Sequence, residues 1–391
     1  MQPLYFTNAK AVELFQLIPK NDFNALCEKW EVNKGVKVFC AAQHLQTLVT
    51  AYLLKLESLR EIELTLGISR STLSDANATR PSGFFQELCD IILNKIIQLS
   101  NRKIRQAART VLAIDSTECQ IHGSVSKIKK WARNPRGKPS GPAAAKLHVV
   151  WNVDNEWIED FRVTAVRVHD MAAARKFKIR SGCHYVFDRA YNDLSFWWEI
   201  ASKGSHFVTR LKKTTVSRMR IFSILREKKD ATGVLWDGPW KPHKGTLFKH
   251  SAIPKDVTFR QIIYRDANSK NLFHFITSDH KSEAQEIANY YKKRWAVELL
   301  FRWLKGHLKI RYIPFKNKNA IKVQLALVAL TQLLIQLDRL SSGFKGTLWE
   351  RLRSLRVDLL RSGIHGSTTG PPNSEIPRAA PGASIVTDAF D

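Results

Sequence analysis

Two short apolar runs, each stopping at an aspartate, constrain the fold of this chain more than any other feature. Thr110-Val-Leu-Ala-Ile-Asp115 and Tyr185-Val-Phe-Asp188 show no polar alternation, so both read as strands buried on two faces. Each presents a carboxylate at a sheet edge. An aspartate in a turn after a strand is common, so neither position decides anything alone. Between them, Lys146 to Val153 and Trp157 to Thr164 are β-rich and flank Asp154-Asn155-Glu156, which predicts a hairpin. Asp170, after His169, reads as the N-cap of a helix running to about Arg180 rather than as a metal ligand. A helix over Leu194 to Ser202 and a strand over His206 to Arg210 follow.

A third acid comes from Ser282 to Arg311. Ser282 with Gln285 has capping-box spacing, and no Pro intervenes before Pro314, so the stretch reads as one long helix. At about 100° per residue, Tyr291, Arg294, Glu298, Arg302 and Lys305 share one stripe. Val297, Leu300, Phe301, Leu304 and Leu308 form the opposing apolar face. A solvated face laced with ion pairs is the alternative reading. Against it stands a lone acid in a basic and aromatic stripe about 20 Å long.

The stripe shares its sign with the whole chain. In 391 residues, 62 Lys and Arg face 35 Asp and Glu, a formal +27 that favours a polyanionic partner. Eleven Trp and 44% hydrophobic residues argue for cored globular domains rather than a charged coat. The five Cys show no CxxC and no His-rich ligand spacing, which fits a reducing cytosol better than a zinc site or a disulfide framework. No signal peptide is read at the N-terminus. The apolar run Leu325 to Leu337 is too short for a bilayer and predicts a buried helix, so no membrane is expected.

Residues 1 to 107 carry helical periodicity only and predict an all-helical region. Within it, 58–78 has helix-turn-helix spacing around Gly67, with Leu73 inward and Arg70, Ser71, Thr72, Ser74 and Asn77 suited to bases and phosphates; a plain helical hairpin is the even alternative. Lys127 to Lys138 is a basic loop with Trp131, suited to phosphates or simply solvated. Short alternating runs over about 211–271 predict a β-rich insertion. Leu272 to Ile276 returns to the core, and the Gly/Pro/Ser-rich segment beyond about Ser362 predicts disorder.

Tyr291, two residues, Arg294, three, Glu298, six, Lys305 resembles the Tyr-Arg-Glu-Lys signature of the insertion-sequence-four family of bacterial DDE transposases. AIDST at 113–117 and FDRAYND at 187–193 resemble that family's first and second Asp motifs. The resemblance covers about residues 1–340. It implies an α/β ribonuclease H-like mixed sheet with flanking helices over 108–340, interrupted by the insertion and preceded by the helical domain. Residues 341–391 would form a C-terminal helix and tail.

The resemblance further implies Asp115, Asp188 and Glu298 as catalytic metal ligands, with Mg²⁺, or Mn²⁺ in its place, serving cleavage and strand transfer. Tyr291, Arg294, Trp295 and Lys305 would hold double-stranded DNA, transposon ends and target alike, while the spacing of 58–78 nominates Arg70 and Asn77 for end recognition. A homodimer in the synaptic complex and a cytoplasmic, nucleoid-associated location are expected. A purely hydrolytic nuclease of the same fold, or a non-catalytic DNA-binding derivative, would share many of these features.

Overall fold

The computed structural model describes residues 9–104, 110–121, 143–211, 233–242, 253–266, 270–315 and 317–365. The two aspartate-ended runs are neighbouring parallel strands. β1 (Val111–Ile121) pairs with β4 (His184–Phe187) from Val111 opposite His184 to Ile114 opposite Phe187. Their paired stretches Val111–Ile114 and Tyr185–Phe187 are apolar because a core covers each face: Val111, Ala113 and Val186 enter one, and Leu112, Ile114, Tyr185 and Phe187 the other; β1 does not stop at Asp115 as expected but continues to Ile121. β1 also pairs antiparallel with β2 (Ala144–Asn152), which turns at 154–156 into β3 (Trp157–Ala165), the predicted hairpin.

On its other side β4 pairs in parallel with β5 (His206–Arg210). Beyond it the sheet turns antiparallel through β6 (Val234–Trp240), β7 (Phe259–Arg265) and β8 (Leu272–Thr277), giving the order β3-β2-β1-β4-β5-β8-β7-β6. β9 (Tyr312–Ile313) joins the far end of β1 and completes nine strands. The β-rich segment expected at 211–271 thus extends the same sheet through β6 and β7. Its parts at 212–232 and 243–252 lie outside the described residues, as do the basic loop 127–138 and the tail after 365.

Among the described residues, six helices precede the first strand: α1 (Ala9–Gln16), α2 (Lys20–Lys29), α3 (Ala41–Leu53), α4 (Leu59–Leu66), α5 (Arg70–Thr79) and α6 (Ser82–Ile104). α4 and α5 are the two helices expected over 58–78, joined through Gly67 to Ser69. Ser58 caps α4 by accepting from the Glu61 amide, Gly67 ends it at φ 69, and Ser69 caps α5 by accepting from the Thr72 amide. Arg70 and Ser74 are exposed and Leu73 is buried, as the spacing predicts. Asn77 departs from the prediction: it is fully buried and donates to the Leu73 carbonyl at 2.9 Å. Four residues after Leu73 is the same inner face, which overrides its polar character.

After the hairpin, α7 (Asp170–Ala174) stops well short of Arg180, and its N-cap is His169, whose Nδ1 accepts from the Met171 amide. Asp170 instead accepts from Ser116 Oγ at 2.9 Å and from Lys146 Nζ at 3.0 Å. α8 (Leu194–Ser202) is capped by Asp193. The segment expected as one helix is two, α9 (Ala284–Lys293) and α10 (Trp295–His307), parted at Arg294. There the amides of Arg294 and Val297 bond three residues back, to Tyr291 and Arg294, so the chain tightens for one turn. Nor does Ser282 cap α9: Glu283 holds that position, and the Ser282 hydroxyl donates to Asp279.

α11 (Lys318–Ser341) contains the longest apolar run and is long and apolar enough to cross a membrane, yet 94% of its most apolar window is buried within the protein. Its polar residues explain its role as a core helix. Gln332 accepts from the Ile158 amide and donates to the Glu156 carbonyl, and Gln336 donates to Asn155, so both hold the hairpin turn where Glu156 takes φ 58. Asn319 donates to the carbonyls of Asn77, Ala78 and Arg80 and ties down the end of α5. One hydrophobic cluster therefore runs from the N-terminal helices through α11 to the sheet, and α12 (Leu348–His365) adds Leu352, Leu355 and Leu359 to it.

Candidate active site

The β1–β4 register places the first two acids. One step beyond Ile114 opposite Phe187, Asp115 stands beside Asp188. By strand alternation both face the side of Val111, Ala113 and Val186. α10 packs on that side by its buried Val297, Leu300, Phe301 and Leu304, and this turns Glu298 toward the two aspartates. Arg294 lies among them, with Nη1 2.7 Å from Glu298 Oε1 and 3.8 Å from Asp115 Oδ2. The tightened turn at Arg294 is where the guanidinium enters. Sequence periodicity gave no sign of that break.

The electrostatics follow from the crowding. Burial pushes the Asp115 carboxyl up to about 6, and the charges of Asp188 and Glu298 add to the rise; the Ser116 amide and Arg294 oppose it. Asp188 Oδ1 accepts from the Ala190 amide at 2.8 Å and caps the short 3₁₀ turn Arg189–Tyr191. Ala190 is not among the residues with positive φ, so this turn requires no glycine.

Tyr291 lies against Phe275, with ring centroids 5.0 Å apart. The Arg294 guanidinium is 5.7 Å from the Tyr291 ring centroid and that of Arg210 is 5.9 Å from it. Burial raises the Tyr291 phenol, the two arginines pull it back, and Asp188 adds to the rise. Arg210 went unassigned in the sequence, although as the last residue of the strand beside β4 it occupies the position in β5 that Asp188 nearly occupies after β4. It is held from behind: Asn192 donates to its carbonyl, and Thr209 Oγ1 reaches both Asn192 and the Asp188 carbonyl.

Trp295, half exposed, projects from the start of α10, and Arg302 is exposed further along it. Lys305 is near enough to Cys119 on β1 for its charge to oppose the burial-driven rise of that thiol. Arg70 and Asn77 belong to α5, whose neighbours are α4 and α11, and are not gathered with the acids. Arg70 Nε lies 2.6 Å from Glu63.

Asp115 and Glu298 on one guanidinium, with Asp188 close enough to Asp115 to raise it, suit divalent cations. Oxygen donors favour a hard ion, and a metal would remove the repulsion that raises Asp115.

Known proteins resemble this chain over most of its length. The "Transposase DDE domain" family model matches residues 106–334. A model described as a domain of unknown function matches residues 11–76, which include α4 and most of α5. A putative transposase of Sinorhizobium fredii is 32% identical over 270 residues, 68% of this chain and 70% of the relative. A putative transposase for insertion sequence element IS4SA of Synechocystis is 38% identical over 299 residues, covering 73% and 77%. The fold is similar to that of a piggyBac transposase solved by cryo-EM in a synaptic complex with hairpin DNA, at a TM-score of 0.50 and 12% identity over 96% of this chain and 87% of that one. The chain belongs to the DDE transposase family, among the insertion-sequence-four type, and is a transposase of an insertion sequence.

Proposed function

We propose that Asp115, Asp188 and Glu298 together hold Mg²⁺, with Mn²⁺ able to replace it, and that the protein cuts the ends of its element and joins them to target DNA. The observation that carries this reading is the β1–β4 register, which brings Asp115, inside β1, beside Asp188, the residue after β4, on the side of the Glu298 helix. Bound metal ions would supply the Lewis acidity for in-line phosphodiester displacement by water or a 3′-hydroxyl. Arg294 steers Glu298 toward Asp115 by its ion pair. Tyr291, Arg210 and Lys305 face the phosphates of the strand being cut, and half-exposed Trp295 offers a surface on which a base can stack.

Residues 1–107 serve end recognition, with Arg70 on the outer face of α5 contacting DNA; residues 108–340 carry catalysis, and α12 closes the core. Because an element has two ends and each chain one set of acids, the working form is a homodimer on paired ends. Its substrate places it in the cytoplasm, on the nucleoid. The test is a plasmid carrying the element's own ends, incubated with the protein and Mg²⁺ or Mn²⁺. Joined products are expected. Cleavage without joining would reduce the activity to a nuclease, and a mobility shift without cleavage would overturn the catalytic reading.

A further inference from the structure

β4 and β5 begin as a matched pair. Their first residues, His184 and His206, are opposite one another in the parallel register, with ring centroids 5.0 Å apart. Asp279, two residues past β8, arrives at the same place, its Oδ2 2.8 Å from His184 Nε2. One nitrogen from each imidazole and one Asp279 oxygen all lie within 4.8 Å of one another. The carboxylate is fixed from outside: Ser282 Oγ donates to Oδ2 at 2.6 Å, and the amides of Lys281 and Ser282 donate to Oδ1 at 2.8 and 3.0 Å. The Tyr290 ring covers His184, with centroids 4.4 Å apart. His206 is half-buried and leaves a way in from solvent.

We propose that His184, His206 and Asp279 form a second metal site, one that takes a transition-metal ion such as Zn²⁺ and is separate from the three catalytic acids. Two imidazoles and a carboxylate from three different elements are a donor set for zinc or its neighbours, whereas Mg²⁺ prefers oxygen alone. A ligand carboxylate braced by a hydroxyl and backbone amides is the outer support such sites need. On binding, the neutral His184 ring would carry its proton on Nδ1, leaving Nε2 and Asp279 Oδ2 to turn to the metal. The site is at the opposite end of β4 from Asp188, four residues or about 13 Å away. It joins β4 and β5 to the turn entering α9, and so steadies the helix pair that carries Glu298. The proposal does not depend on the catalytic reading.

The full-length protein, incubated with Zn²⁺ and desalted, should retain one equivalent by mass spectrometry, and Co²⁺ in its place should give the visible absorption of a tetrahedral nitrogen–oxygen site. The Asp115→Asn/Glu298→Gln double variant should retain the same equivalent. His206→Phe keeps a ring against His184 but offers no nitrogen. It should lose more than the roughly 10–100-fold in affinity that removing an outer partner costs, while its melting temperature without metal stays near that of wild type. Failure of wild type to retain zinc, or equal retention by His206→Phe, would show a hydrogen-bonded cluster that binds no metal; loss in the double variant would return the bound ion to the catalytic acids.

Discussion

The two ends of β4 hold two buried carboxylate environments with opposite outcomes. At one end Asp115 has the Ser116 amide and a 3.8 Å approach from Arg294, with the acids Asp188 and Glu298 close by, and it resists ionisation. At the other, Asp279 is fully buried, yet two amides, a hydroxyl and the His184 ring hold its carboxyl well below the usual range. Burial opposes the charge in both, so donor supply decides the sign. The Asp279 end is built to stay as it is. The Asp115 end is left short of positive charge, which is the condition for taking up cations and a phosphate.

The largest effect expected from this contrast is on chemistry. Asp115→Asn, Asp188→Asn and Glu298→Gln should each lower Mg²⁺-dependent end cleavage by roughly a thousandfold or more, the scale of losing an essential catalytic group, with end binding retained. His206→Phe should leave cleavage within a few-fold of wild type. A cleavage assay in which the His206 change costs as much as Glu298→Gln would erase the functional division between the two ends.

Stability should separate them with opposite signs. Asp279→Ala strands His184 and Ser282 in the interior and should cost about 3–5 kcal/mol in urea melts. Leu304→Ala, a cavity under α10, should cost about 2–5 kcal/mol. Asp115→Asn should instead stabilise the metal-free protein. With the folded carboxyl at about 6 against an ordinary 3.8, the native state holds a proton that the unfolded chain has released. Wild-type stability therefore falls as pH rises from about 4 to 6, and the Asn variant should show no such fall. Its advantage should reach on the order of 2 kcal/mol by pH 7, allowing for the part of the side chain that water still screens, and Mg²⁺ should erase it. Melts that favour wild type at neutral pH without metal would mean that the three acids do not repel.

Much of the acidic end of β4 was legible in the sequence because it rests on local patterns, although the apolar run reads as ending at Asp115 whereas β1 continues to Ile121. Apolar runs locate β1 and β4, and the helix wheel identifies the buried face of α10 that aims Glu298. The His184 cluster was not legible, since its three members lie on separate elements and meet only through the β4–β5 register and the turn after β8. Arg210 escaped for the same reason. Asn77 was misread because residue type was weighed above its four-residue spacing from Leu73, and the break at Arg294 has no Pro or Gly to announce it. In each failure a tertiary contact outweighed a local preference.

The smallest effect concerns cations that form no ion pair among the described residues. Lys305 and Arg302 flank the catalytic end along α10, while Lys281 is exposed beside Asp279 at the other. If DNA lies across the acids, Lys305→Ala and Arg302→Ala should each weaken end binding a few-fold and flatten the slope of log affinity against log salt by about one, as expected when one fewer phosphate is neutralised. Lys281→Ala leaves the same net charge, so a general field effect would lower affinity equally in all three variants. Only contact at the catalytic end makes the slopes differ. A titration of labelled end DNA from low to moderate salt reads this directly. Slopes that change for Lys281→Ala and stay constant for Lys305→Ala would place the DNA over the histidine end of the sheet and move the substrate path away from Glu298.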